Sequence, residues 1–222
     1  VVQGLERRLY DAVVSSDARP PLAEVVIVAI DEPSLAALGP WPWPRDVHAQ
    51  LIDRLAASGA KTIVHTTLFD SPQTDRGLAY LRQIRAMLGA APADAASLSS
   101  QIGRTVDEAE HVLDTDGRLA ASIRRAGNVL LASRFELAPS GGLAGAMKLP
   151  DFMHRGALAD PGDDTWLAKG VAVPLEALGQ AAAGVGHFQG VADADGVTRQ
   201  TPMVVRADHA AMPALAWQVA AH

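Results

Sequence analysis

The chain of 222 residues contains no cysteine. Disulfides, thiolate metal ligands and a cysteine nucleophile are therefore excluded. Lysine occurs only at Lys61, Lys148 and Lys169, and the formal net charge is -6. Arginines supply most of the positive charge and form no stripe, which argues against nucleic acid as a partner. No apolar run approaches the roughly 18 to 20 residues that a membrane-spanning helix needs. No signal peptide is visible and the chain starts at Val1 without methionine, so it reads as a piece of something longer or a processed product. Several local signatures are also missing: G-x-x-x-x-G-K-[ST], H-E-x-x-H, and G-x-S-x-G. The first apolar run is followed by EPSLA and not by a glycine fingerprint. A triad assembled from distant residues is not addressed by these absences. No internal repeat is present.

What remains is a globular composition, 49% hydrophobic and 20% charged, with enough length for one large domain. The organising stretch is Val25 to Arg45, VVIVAIDEPSLAALGPWPWPR. Val25 to Ile30 is apolar and β-branched, which suits a central strand covered on both faces. Ser34 can cap a short helix to Leu38, stopped by Gly39. Pro40, Pro42 and Pro44 stiffen a loop around Trp41 and Trp43. A helix follows to about Ser58, with Val47, Leu51, Ile52, Leu55 and Ala56 as its apolar face and Gly59 as its stop. Lys61 to Phe69 reads as a second strand. Strand, helix, strand at this spacing is a βαβ unit with a right-handed crossover.

Upstream, Leu5, Leu9 and Val13 make a helical stripe. Downstream, Leu78 to Leu88 and Leu98 to Leu113 are helices, forming a helical insertion over about 74–114 within one domain spanning 1–222. Asp116-Gly117 begins another helix, ended by Gly127, and Asn128 to Phe135 is a third strand. Residues 139–170 read as loop. A helix follows over Pro174 to Ala183. Val185 to Val191 and Val197 to Val205 flank Asp193-Ala194-Asp195-Gly196, a hairpin signal; Pro202 makes the second arm an edge or irregular. Met212 to His222 is a last helix, with Leu215 and Val219 inward. The fold class is α/β: a central, mostly parallel sheet flanked by helices, with a helical insertion and a C-terminal β-hairpin plus helix.

The residues with chemical potential are few. Asp31 sits where parallel sheets place ligand groups, at the carboxyl end of a strand, or it binds local backbone donors in a turn. Trp41 and Trp43 can wall a ligand or lock the loop onto the core. Arg45 can hold an anion or pair with Asp31. His65, within a strand, reads as a core residue. His187, beside Phe188, can line a pocket but has no near-sequence partner as a metal ligand. Asp114-Thr115-Asp116-Gly117 reads as a helix cap, and Asp193 to Gly196 as a turn and not a calcium loop.

The wording of these pieces resembles the CHASE2 family, an extracytoplasmic sensory domain of bacterial membrane receptors. The resemblance is carried by VVIVAIDEPSLAALGPWPWPRDVHAQLIDRLAASGAKTIV, by DTDGRLAASIRRAGNVLLA, by GVGHFQGVADADGVTRQTPMVVR with its Asp195-Gly196-x-x-Arg199, and by the final MPALAWQVAA. One departure stands out: Thr66 occupies the place of an aspartate in the family's F-D-x-x-F pattern. Ser71 replaces a later acid, with Asp70 adjacent.

The resemblance implies a non-enzymatic, periplasmic sensor that reads an unknown small-molecule or envelope stimulus. Its terminal helices would lead to its own membrane spans and to a cytoplasmic cyclase or kinase, and a homodimer is one arrangement. No catalytic residue, metal or cofactor is expected. Asp31, Trp41, Trp43, Arg45, His187 and Arg199 are the ligand-binding candidates. Two other readings stay open: a cell-envelope interaction or dimerisation module, and an α/β hydrolase dependent on Asp31.

Overall fold

The computed structural model describes residues 2–16, 22–73, 76–89, 96–138, 147–159 and 165–222. It divides into two units, Val1–Pro42 and Trp43–His222, each described by itself.

In the first unit, helix α1 spans Val2–Ser16. Its apolar stripe is open to solvent, with Leu5, Leu9 and Val13 exposed by 70%, 66% and 59%. Helix α2 (Glu32–Leu38) starts at Asp31, whose carboxylate accepts from the Ser34 N–H at 3.0 Å and the Ser34 hydroxyl at 2.5 Å. Asp31, not Ser34, is thus the cap. Pro33 occupies the first turn, where no N–H is needed, and Gly39 closes the helix at φ 93.

The expected strand Val25 to Ile30 does not form. Val26 and Ile27 are exposed by 81% and 87%, and the segment belongs to no ladder. β-branched residues fit a pleated, half-covered surface, but a strand exists only through its partner's hydrogen bonds. The run has the propensity without the partner. The expected βαβ unit across Val25 to Phe69 falls with it.

The second unit opens with helix α3 (Arg45–Ala57), strand β1 (Ile63–His65), helices α4 (Arg76–Gly89), α5 (Ala96–Leu113) and α6 (Thr115–Ala126), and strand β2 (Val129–Leu137). Helices α4 and α5 pack on each other. β1 and β2 are parallel, pairing Ile63 with Val129 and His65 with Leu131. The crossover between them therefore runs through α4, α5 and α6. Next come the single turn α7 (Asp151–His154), strand β3 (Trp166–Ala172), helix α8 (Glu176–Ala181) and strand β4 (Gly184–His187).

Strand β3 and helix α7 correct the expectation of loop over 139–170; residues 139–146 and 160–164 of that stretch lie outside the described residues. In β3, Lys169 and Gly170 interrupt the apolar pattern. Its strand state comes from antiparallel pairing with β2, with Phe135 opposite Val171.

The remaining elements are β5 (Val191–Ala192), β6 (Thr198–Gln200), β7 (Val204–Ala207), β8 (Ala210–Pro213) and helix α9 (Leu215–Ala221). The Asp193 to Gly196 turn forms, with Gly196 at φ 81, but its hairpin joins only β5 and β6. The longer arms separate. β4 runs parallel to β2, pairing Ser133 with His187; β7 turns back through Asp208 and His209, both at positive φ, to pair with β8. Two consecutive residues at positive φ match the twist of a tight hairpin. Met212 and Pro213 consequently lie in β8, and the last helix begins at Leu215. Within that helix Leu215 is buried, whereas Val219 is 39% exposed.

Strand pairs thus run from β1 through β2, β3 and β7 to β8, with β4 on β2 as well. A parallel bridge between His187 and Ala214 joins the end of β4 to the residue after β8. The pairings β2–β3–β7–β8–β4–β2 thereby close on themselves and fix the end of β4. One face of β2 is covered by a core that includes Ile52, Leu119, Ile123, Leu131, Phe135 and Leu178. On the other, Leu130 and Ala132 meet Leu215 of α9. Cover on both faces explains the unbroken apolar run at Val129 to Ala132.

Helix α9 approaches β4 closely enough that a Cβ at Gly186 would lie 2.6 Å from Leu215 Cα. Backbone cannot yield as a side chain does. Gly186→Ala is therefore expected to cost about 1–3 kcal/mol by overpacking, read as a lower urea midpoint. Gly103→Ala, in open space on α5, is expected to cost nothing.

Candidate functional site

The carboxyl ends of the parallel strands β1, β2 and β4 gather polar side chains on one sheet face. Open α/β sheets offer ligand sites at such ends. The register puts His65 level with Leu131 and Ser133 level with His187, and strand alternation puts all four on the face covered by α3 and α6.

At the end of β1, His65 Nε2 and His48 Nδ1 share a hydrogen bond of 3.1 Å. The Thr67 N–H donates to His65 Nδ1 at 3.3 Å. That nitrogen is then the acceptor, so neutral His65 carries its proton on Nε2 and donates to His48. Both rings also stand against Phe69, at 5.2 Å and 4.9 Å between centroids. His48 is 2% exposed. Burial pushes the His65 pKa down to about 4, helped by His48 and Arg45. Burial and then the Arg45 charge also lower His48, against smaller opposing effects of the Trp43 backbone and Asp46. The pair is neutral at pH 7.

Arg45 opens α3 and lies over the same ring, its Cζ 4.5 Å from the Phe69 centroid. Its Nε meets Asp116 Oδ1 at 3.1 Å, and another guanidinium N–H donates to the Ser71 carbonyl at 2.9 Å. Asp116 accepts in turn from the Gln73 N–H at 2.8 Å, while Gln73 Oε1 accepts from the Arg45 N–H at 2.7 Å and the Thr115 hydroxyl at 2.9 Å. The loop after β1 is thereby fastened to the first turns of α3 and α6. Asp114 caps α6 by accepting from the Gly117 N–H at 3.1 Å, as the cap reading of this segment expects.

Midway along β2 and at the end of β4, Ser133 and His187 are fully buried, and neither Ser133 Oγ nor His187 Nε2 has a hydrogen-bond partner among the described residues. The Phe135 ring stands edge-on to His187 at 5.8 Å. Burial takes His187 down to about 4, opposed in part by the Met212 backbone. Because the two side chains share no hydrogen bond, they do not form the nucleophile–base pair that covalent catalysis requires. Among the described residues no three His, Asp or Glu side chains gather around a cation site.

Asp31 is an exposed helix cap, its pKa lowered by the Ser34 hydroxyl and backbone N–H. Trp41 is 42% exposed and Trp43 is buried. Arg45 pairs with Asp116 within the second unit. His187 lies inside the core, beside an exposed Phe188. Arg199 is bound by Asp193 at 2.7 Å and Asp195 at 2.9 Å within its own hairpin. Thr66 is exposed just past β1.

Sequence reasoning missed His48, Gln73, Asp116 and Ser133. His48 was legible in principle, since it stands four positions before Ile52, on the same helical row as a residue assigned to the core. Asp116 and Ser133 come from other elements and leave no local signal.

A family model described as the CHASE2 domain matches residues 1–222. No curated protein and no solved structure matches the chain.

Two outcomes follow from the geometry. Folded His65 and His187 have pKa values near 4, below the ordinary 6.5, so on acidification the unfolded chain takes up protons first. Stability is full above about pH 6.5 and falls between 6.5 and 4, by about 3 kcal/mol per ring at most. Urea unfolding across that range should show the slope, and His65→Gln should flatten it. Separately, Asp116→Ala strips Arg45 of its carboxylate and is expected to cost about 2 kcal/mol, again read as a urea midpoint.

Proposed function

Since the chain belongs to the CHASE2 family of sensory domains, we propose that it is the extracytoplasmic, periplasmic sensing portion of a bacterial transmembrane receptor. The full-length family match carries this reading. In it the terminal helices α1 and α9 lead to membrane spans and on to a cytoplasmic cyclase or kinase. The family is sensory and not catalytic, and the site chemistry agrees: neutral, buried imidazoles and an arginine held by an acid suit a two-state structural element better than bond breaking.

The element we assign to sensing is the carboxyl end of β1, where Arg45, His48, His65 and Phe69 meet. Of the other candidate ligand contacts, Asp31 and Trp41 are exposed, whereas His187 and Arg199 serve as supports. A stimulus acts by favouring one arrangement of this cluster over another. In the full-length receptor, Arg45→Lys keeps the charge but loses the planar stack on Phe69 and the fork toward Asp116 and Ser71. It is expected to shift basal output several-fold while the receptor remains folded and at wild-type abundance. Unchanged basal and stimulated output in that variant would remove the assignment.

The exposed stripe of α1 supports a second reading, an envelope interaction or dimerisation module. Leu9→Glu places a charge in that stripe. If α1 pairs with a second copy, light scattering across a concentration series will show the dimer constant weakened at least about tenfold; a concentration-independent monomer removes this reading.

A further inference from the structure

The hairpin of α4 and α5 leaves one of its faces uncovered. The short link between the two helices makes them antiparallel. Leu78 of α4 and Val106 of α5 are buried, and Arg85 bridges to Asp107 and, at 3.0 Å, to Glu110. These contacts mark the sides on which the helices meet. Tyr80, Ile84 and Met87 recur at the i, i+4, i+7 spacing of one helical row, and Thr105, Ala109 and Val112 do the same on α5. Each row lies roughly 100° round its helix from the contact side, in the same rotational sense. Because the helices are antiparallel, both rows emerge on one side of the hairpin. Tyr80, Ile84, Met87 and Val112 are between 41% and 68% exposed, so nothing among the described residues covers this face.

We infer that this face is an interface with a second copy of the chain, the two hairpins forming a four-helix bundle. Charge, register and area all point to a copy as the occupant. Helix α4 carries Arg76, Arg82 and Arg85 and no acid, whereas α5 carries Asp107, Glu108 and Glu110 against a single arginine, Arg104. Setting each α4 on the partner's α5 joins opposite charges; α4 on α4 would oppose like ones. A two-fold axis along the hairpin gives that arrangement, antiparallel throughout, and shifts no residue along the axis. Since Arg85 stands level with Asp107 and Glu110, Ile84 comes level with the partner's Ala109, Tyr80 with the partner's Val112 and Met87 with the partner's Thr105. Large side chains then meet smaller ones, as interdigitating rows require. At these exposures the two rows offer on the order of 500 Å² per copy, or ~1,000 Å² for the pair, the lower bound for a specific interface. The surface is distinct from the α1 stripe, and the inference does not depend on how the domain senses.

The absence of cysteine allows a site-specific test. Chains carrying Ile84→Cys and Ala109→Cys are prepared separately, mixed, oxidised and run on a non-reducing gel. The mixture is expected to give a disulfide-linked dimer. Neither chain alone should do so to a comparable extent, because like positions lie on diagonal helices of the bundle, beyond the reach of a disulfide. In sedimentation equilibrium the unaltered chain is expected to dimerise, and Met87→Glu to weaken the dimer constant by about tenfold or more. The circular dichroism and melting temperature of the dilute Met87→Glu chain should match those of the unaltered chain, because the side chain is exposed. Leu9→Glu is expected to leave this equilibrium unchanged, which separates the surface from the α1 stripe. A concentration-independent monomer, a dimer unaffected by Met87→Glu, no linked dimer in the mixture, or linkage of Ile84→Cys to itself as readily as to Ala109→Cys overturns the inference.

Discussion

Nearly everything in the larger unit depends on β2, a nine-residue strand that serves three neighbours. Its first half lies between the parallel strands β1 and β4, and its second half takes β3 in the opposite direction. A strand used this way has no solvated face over Val129 to Ala132, and its backbone groups must all be met by partners because water cannot meet them. That constraint places α3, α6 and α8 on one side and α9 on the other. It also sets the glycines of β4, since Gly186 is the point where α9 comes down onto the sheet.

The same burial sets the electrostatics. Imidazoles at the strand ends are held neutral because the charged form cannot be hydrated there. Beside them the Arg45 guanidinium is shared among a carboxylate, a backbone carbonyl and an aromatic face. Such an assembly is locally rigid and globally sensitive: changing the charge or hydrogen-bond partner of any member leaves the others mismatched in a low-dielectric setting. This is a property expected of a domain that converts a local event into a change of arrangement, and it is consistent with membership of a sensory family.

Much of the helical part of the fold was legible in the sequence. Gly39, Gly59 and Gly127 end helices at positive φ, Asp114 caps α6, and Gly196 turns the short hairpin, all because these effects act within a few residues. The candidate site was legible only in fragments. Arg45 and His187 were singled out, yet their surroundings were not. Asp116 lies 71 positions from Arg45, and Ser133 meets His187 only through strand register.

By itself, the sequence determined family membership, the α/β class and the existence of most helices, since these are written in motifs, periodicity and capping residues. Only the tertiary structure decided which apolar runs became strands. Val25 to Ile30, the more convincing strand by composition, stays unpaired and exposed, while Trp166–Ala172, with a lysine and a glycine inside it, is held in the sheet. It likewise decided that Arg45 belongs to Asp116 and that His48 belongs to His65. The reason is the same in each case: ladders, ion pairs and burial join residues that are distant in the chain, and propensity measured along the chain carries no information about which of them will meet.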